Sequence, residues 1–335
     1  MRSLDKKKNL LIITKIDTID GLMKKLKKSY NVSYFPNASL SQLKRMSKKE
    51  KSKISAIFTN PNRSKIKIDN QILKMFLNLD VICTASTGLV HIDTNLCKKK
   101  NIHVISLRKD LNVLKNISST AELAFLLMML SIRDVLLSSR DVKKGNWDCE
   151  KFVGRQIDQL NIGVVGFGRL GKMFASYAHA FKAKVYIYDP YVKNTSHYSN
   201  YVFTSSLYNL AKKVDIISLH IHVNDETKEI INKKFFSSCS KNLKIINTSR
   251  GEIVNEKNLV QFLKKNKNAK YMTDVITNEI NLRKQSPIYK MFKNKDFYNQ
   301  IVITPHIGGM THDARYLAYH QSVNSLIKYH FNHEK

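Results

Sequence analysis

Asn161-Ile-Gly-Val-Val-Gly-Phe-Gly-Arg-Leu-Gly171 decides how the rest of the chain is read. Residues 162–165 form a short apolar run rich in β-branched side chains, the mark of a buried strand. The run leads at once into Gly166-x-Gly168-x-x-Gly171, then a helical stretch from Lys172, then a second strand, Lys184-Val-Tyr-Ile-Tyr, that ends in Asp189. Each part has a physical role in holding a dinucleotide. Gly166 permits a tight turn, Gly168 lets the backbone approach a pyrophosphate, and Gly171 lets the helix pack closely on the strand. The helix N-terminus presents N–H groups and partial positive charge to the phosphates. Asp189, 18 residues past Gly171, is placed to accept hydrogen bonds from the adenosine ribose, and its charge would repel a 2′-phosphate. The pattern therefore predicts NAD rather than NADP as cofactor.

Working outward, strand and helix patterns alternate. Strands are expected at 9–14, 53–59, 81–84 and 102–107, with helices at 18–28, 68–79 and 92–100. Such alternation means a parallel sheet with helical crossovers, so the first 108 residues are expected to form an α/β unit of their own. A long helix is expected to start at Ser119 or Thr120, either of which could cap it, and to run to Lys144 before Gly145. Beyond Asp189 an irregular stretch is expected to 205. Strands follow at 215–220, 243–247, 269–275 and 301–304, with helices at 226–236, 255–265 and from 311.

In an open parallel sheet, ligands bind at the carboxyl ends of the strands. Asp189, His220, Arg250, Asp274 and His306 all fall at or just past such ends, and Glu279 follows in the loop after Asp274. An arginine, an acid and a histidine beside a dinucleotide point to hydride transfer coupled to proton transfer. Arg250 would hold a carboxylate with its bidentate fork and polarise the neighbouring oxygen. His306 would move the proton, and Glu279 would orient its ring.

The 335 residues suggest two domains. No apolar run of membrane-spanning length is apparent, and the N-terminal apolar run is too short for a signal peptide. Cys83, Cys97, Cys149 and Cys239 are scattered without metal spacing, which predicts buried thiols, a cytoplasmic setting and no metal site. The net charge is +31, but the lysines fall in short clusters without a basic arm or an aromatic-interleaved signature. No specific nucleic-acid partner and no membrane partner is expected.

The chain resembles the D-isomer-specific 2-hydroxyacid dehydrogenases, in particular the D-3-phosphoglycerate dehydrogenase-like branch. The resemblance rests on Ser86-Thr-Gly-Leu-Val-His-Ile-Asp93, Thr120-Ala-Glu-Leu, the glycine motif with Asp189, Asn247-Thr-Ser-Arg-Gly251, Asp274 with Glu279, and Thr304-Pro-His-Ile-Gly-Gly309. It implies two Rossmann-like doubly wound parallel-sheet domains with a cleft between them. The substrate domain would comprise 1–108 plus 306–335, and the NAD-binding domain 109–305. It implies Arg250, Glu279 and His306 as catalytic residues. Backbone N–H groups around Ser86, Thr87 and Gly88, with Arg250, would take the carboxylate of a small 2-hydroxy or 2-keto acid. Arg169 and Leu170 would lie at the pyrophosphate, Thr248 and Asp274 near the ribose and nicotinamide, and His220 and Gly309 would complete the cofactor set. It further implies a homodimer through the NAD-binding domain.

Three departures stand out. His222 occupies a position where the family usually has proline, the segment 280–299 looks long, and the ending at Lys335 leaves no room for the regulatory domain of many phosphoglycerate dehydrogenases. Arg63, at a strand end of the first domain, is expected to meet a distal anionic group of the substrate. The alternative from another class is a non-catalytic, dinucleotide-sensing co-regulator of the C-terminal-binding-protein type.

Overall fold

The computed structural model describes residues 7–61, 66–279 and 283–331. Arg63 and Ile280 lie outside the described residues. The chain divides into two compact units, 1–117 with 310–335, and 118–309. These boundaries fall later than the expected 108 and 306. Leu114 is buried in the core of the first unit, and the N–H groups of His306, Ile307 and Gly308 all bond to Asp274 in the second.

The first unit holds five parallel strands, β1 (Lys8–Ile12), β2 (Tyr30–Tyr34), β3 (Ile54–Thr59), β4 (Val81–Thr84) and β5 (His103–Ile105), in the order β2-β1-β3-β4-β5. Side chains alternate across a strand. Leu10, Ile12, Phe58, Val81 and Cys83 enter one core layer, whereas Leu11, Ile13, Ile57 and Ile82 enter another. Both faces are covered, which is why β1, β3 and β4 read as largely apolar runs. The first layer is completed by Leu22 and Leu26 of the helix Leu22–Ser29 and by Val323 and Leu326 of the last helix, His312–Phe331.

The second unit holds seven parallel strands: β6 (Asn161–Val165), β7 (Lys184–Tyr188), β8 (Val202–Phe203), β9 (Ile216–Leu219), β10 (Lys244–Asn247), β11 (Lys270–Thr273) and β12 (Ile301–Ile303). Their order is β12-β11-β10-β9-β6-β7-β8, so the chain reverses direction across the sheet between β6 and β9. The carboxyl ends of β6 and its two neighbours flank that switch point, where doubly wound sheets bind nucleotides.

Several expected elements differ. β2, which was not anticipated, is an edge strand paired with β1 alone, and its Tyr30-Asn-Val-Ser-Tyr34 is polar enough to pass for loop. The expected helix at 68–79 is only Asn70–Leu73, and Leu77 beyond it is exposed. The expected helix at 226–236 begins only at Lys233. Upstream, the Asn224 side chain accepts from the N–H groups of Glu226 and Thr227, a turn that competes with helix.

The long helix is two helices, Ser119–Ile132 and Val135–Val142, broken at an extended Arg133. The Ile132 carbonyl accepts from the Arg155 N–H, and Asp134 pairs with Lys270 at 2.6 Å, so tertiary partners replace the next helical turn. The first of the two starts after Ser118, and no side chain caps it; Ser119 and Thr120 lie inside it. The stretch Leu111–Ile132 has the length and apolarity of a membrane span. It is interrupted at 115–118, and Ala121, Ala124, Leu127 and Met128 of its longer helix are buried. Cys83 and Cys97 are buried as expected, whereas Cys149 is exposed and Cys239 half-buried.

Candidate active site

Gly166 has φ 89°, in the left-handed region that favours glycine, and an added Cβ would run into the His220 carbonyl. At Gly171 an added Cβ would collide with the Gly166 carbonyl, so only glycine lets the helix Arg169–Ala180 sit this close to β6. Space around Gly168 is open, and no side chain caps the helix that follows it. The turn therefore presents backbone with no side chain in the way, and an uncapped first helical turn suited to phosphate.

Asp189 closes β7. Its Oδ2 accepts from the Phe167 N–H at 2.7 Å and its Oδ1 from the Tyr191 N–H at 2.9 Å. Each carboxylate oxygen has a second lone pair, so the residue ties the glycine turn to β7 and can still accept from a ribose hydroxyl. Thr248, past the end of β10, is buried, and its hydroxyl has no hydrogen-bond partner. His220 lies past the end of β9, with Nε2 2.9 Å from Ser218 Oγ, Nδ1 enclosed without a partner, and its ring against Phe174. Burial pushes its pKa down to about 3, so the ring is neutral. His222 lies in the irregular stretch after β9, and its carbonyl accepts from Thr227 Oγ1.

The Arg250 turn is built by Asn247. The Asn247 side chain donates to the Arg250 carbonyl at 2.9 Å and accepts from the Ser249 N–H at 3.0 Å. Arg250 is half-buried, and its guanidinium donates to the Ser249 carbonyl at 2.5 Å. At Gly251 a Cβ would collide with the backbone of Ile276 and Thr277, so glycine lets the Arg250 turn press against the chain leading to Glu279. Buried Glu256 fixes that chain on both sides. It accepts from the Thr277 N–H at 2.9 Å and from the Ser286 hydroxyl at 2.6 Å, and Ser286 caps the helix Pro287–Phe292 within the long 280–299 segment.

His306 Nδ1 meets Glu279 Oε1 at 2.5 Å. The His306 backbone has φ 56°, a strained value for a non-glycine residue that neighbouring contacts must hold. Asp274 supplies them. Its carbonyl accepts from the His306 N–H, and its carboxylate accepts from Thr304 Oγ1 at 2.6 Å and from the N–H groups of Ile307 and Gly308 at 2.7 Å each. Burial raises the Asp274 pKa against the opposing pull of these donors. Asp274 is thus buried beneath the His306 loop, and Gly309 at the end of that loop is exposed. Asn247, Gly251 and Glu256 were not singled out by the sequence pattern. The Asn and Gly sit inside a quoted motif, but nothing in the sequence marked Glu256.

In the first unit, Ser86, Thr87 and Gly88 follow β4, and their carbonyls are all engaged. Ser86 O accepts from the Leu107 N–H, Thr87 O from Arg108 Nε and Gly88 O from the Ser86 hydroxyl. Among the described residues no group of His, Cys, Asp and Glu could hold a metal ion.

Glycine turn, uncapped helix, acid at the end of β7 and switch point together define a dinucleotide-binding α/β protein. The chain belongs to the D-isomer specific 2-hydroxyacid dehydrogenase family: residues 125–308 match the model of that family's NAD binding domain. It is 28% identical over 254 residues to a D-3-phosphoglycerate dehydrogenase of Methanocaldococcus jannaschii, covering 76% of this chain and 46% of that one. It thus spans about half the length of the curated phosphoglycerate dehydrogenases it matches. It is 30% identical to a hydroxypyruvate reductase of Thermotoga maritima, covering 76% of this chain and 78% of that one. Among solved structures it resembles the D-lactate dehydrogenase from Aquifex aeolicus complexed with NAD and lactic acid, at TM-score 0.77 and 26% identity, over 96% of this chain and 94% of that one.

Proposed function

We propose that the protein is an NAD-dependent oxidoreductase that interconverts a D-2-hydroxy acid and its 2-keto acid. The observation that carries this reading is the His306–Glu279 pair, held next in the fold to the Arg250 turn through Gly251. Gly166, Gly168, Arg169, Leu170 and Gly171 would hold the pyrophosphate and Asp189 the adenosine ribose. Thr248, Asp274, His220 and Gly309 would border the remainder, where the orphan hydroxyl of Thr248 is suited to a ligand atom. Bound NAD supplies the nicotinamide that accepts or gives the hydride.

The chain's own residues do the rest. Arg250 grips the substrate carboxylate with its guanidinium fork and polarises the C2 oxygen. Nδ1 of His306 is engaged by Glu279, so Nε2 is the nitrogen left to exchange a proton with the C2 oxygen. In reduction the imidazolium gives that proton while Glu279 holds the ring; in oxidation the neutral ring takes it. Backbone N–H groups of the loop around Ser86, Thr87 and Gly88 serve the substrate carboxylate.

A homodimer through this unit completes the reading, and the exposure of Val135, Leu136, Val142, Trp147 and Val153 is consistent with it. The four unpaired cysteines support a cytoplasmic setting. The test is oxidation of NADH with a panel of 2-keto acids. Turnover of at least one member is expected, and an inert panel with intact NADH binding would favour a sensor over an enzyme.

A further inference from the structure

His91 is buried in the first unit, 4% exposed, and has no part in the reaction described above. Its Nε2 lies 3.2 Å from Thr84 Oγ1, which lies 3.0 Å from Ser86 Oγ, which donates to the Gly88 carbonyl at 2.8 Å. The directions of these bonds follow from counting protons. The Gly88 carbonyl only accepts, so the single Ser86 hydroxyl proton is spent there. Ser86 Oγ must then accept from Thr84, and Thr84 Oγ1 must accept from His91. Nε2 of His91 therefore carries the ring proton, and Nδ1 is a bare lone pair. Consistently, Nδ1 is enclosed and has no partner, and burial lowers the ring's pKa to about 4.

The relay ends on the loop that the functional reading assigns to the substrate carboxylate. There the Ser86, Thr87 and Gly88 carbonyls are held by the Leu107 N–H, Arg108 and the relay respectively. In a trans peptide the N–H points opposite its C=O, and no peptide bond is cis. Three anchored carbonyls therefore fix the directions of the N–H groups of Thr87, Gly88 and Leu89, each opposite to the carbonyl of its peptide. Among the described residues none of these three donates to a protein acceptor. We propose that His91 is a positioning residue for anion binding: through Thr84 and Ser86 it fixes the Gly88 carbonyl, and so the last N–H of a three-donor carboxylate cradle.

This inference rests on the proposed function, and two measurements separate them. A nitrogen-15 spectrum of histidine-labelled protein at neutral pH is expected to place the His91 proton on Nε2, whatever the protein catalyses; a proton on Nδ1 would overturn the relay. In steady-state kinetics, His91→Leu is expected to raise KM for the 2-keto acid about tenfold with kcat and NADH affinity held within about twofold. His91→Gln, whose amide N–H can replace Nε2–H, is expected to restore KM. Thr84→Val cuts the same relay without changing volume and serves if the leucine variant does not fold. Because both substitutions break one chain, the double variant is expected to be no worse than either single one. An unchanged KM in His91→Leu and Thr84→Val would overturn the positioning role, whereas a wild-type protein inert to every keto acid would overturn the functional reading and leave the spectrum to judge the relay.

Discussion

His306 Nδ1 and Glu279 Oε1 stand 2.5 Å apart although 27 residues separate them in the chain. The contact depends on Asp274 holding the left-handed His306 turn and on Glu256 holding the approach to Glu279. His306→Ala is expected to lower keto-acid reduction by roughly 10²–10⁴-fold, the usual worth of a positioned acid, with NADH binding unchanged. Reduction consumes the protonated ring and oxidation the neutral one, so rising pH should depress the first and favour the second. Rate–pH profiles in both directions check this, and near-normal reduction by the alanine variant would refute it.

Asp189 accepts from the Phe167 and Tyr191 N–H groups and is a carboxylate where the adenosine ribose is assigned, so a 2′-phosphate would be disfavoured there. NADH should be preferred to NADPH, and Asp189→Asn should narrow that preference mainly by improving NADPH. Comparison of kcat/KM for the two cofactors decides; equal values in the unmodified protein would count against the assignment.

Two buried neutral histidines make stability depend on pH. The pKa of His220 is pushed down to about 3 and that of His91 to about 4, whereas an unfolded histidine titrates near ~6.5. Between these values the unfolded chain binds protons that the folded chain refuses, so stability rises with pH. The full contribution is present above about pH 6.5 and is lost progressively as the solution is acidified. Calorimetric Tm should fall from pH 7 to pH 5, and His220→Asn should flatten that slope even if it lowers Tm at pH 7. A slope identical to wild type would exclude His220 as a source.

Gly251→Ala should destabilise by about 2 kcal/mol or more, because its Cβ enters the backbone of Ile276 and Thr277. The damage should be local to the Arg250 and Glu279 loops, so activity should fall further than a denaturation midpoint would suggest. Wild-type kinetics in this variant would show that the two loops need not touch.

Lysine and arginine number 57 against 26 acids. Any association with duplex DNA should be independent of sequence and disappear at moderate salt, because it would rest on counterion release alone. A sequence-specific complex surviving physiological salt, seen by fluorescence anisotropy, would contradict this.

The sheets were legible because both their faces are buried: runs such as Leu10-Leu-Ile-Ile13 and Ile162-Gly-Val-Val165 carry their own signal. The glycine turn was legible because its backbone demands glycine at Gly166 and Gly171. What could not be read depends on contacts distant in sequence. The helix break at Arg133 answers to Arg155 and Lys270, and the late start of the Lys233–Ser238 helix to an asparagine that competes with it. At the site, the residue types at strand ends were apparent, but Glu256 and His91 act through partners that only the folded chain brings near. His91 stood inside a quoted motif, and only the direction of its hydrogen bonds gives it a role.

The core layer that Val323 and Leu326 complete lies against Leu10, Phe58 and Val81, strands made some 240 residues and more earlier. The second unit, by contrast, is one uninterrupted segment, 118–309. As the chain emerges from the ribosome, the second unit has all its parts before the first does, and the apolar face of β1, β3 and β4, covered only in part by the helix Leu22–Ser29, stays unfinished until the final helix arrives. Biogenesis thus runs from the middle outward: the unit begun first is finished last, and that waiting face is where a chaperone would be needed.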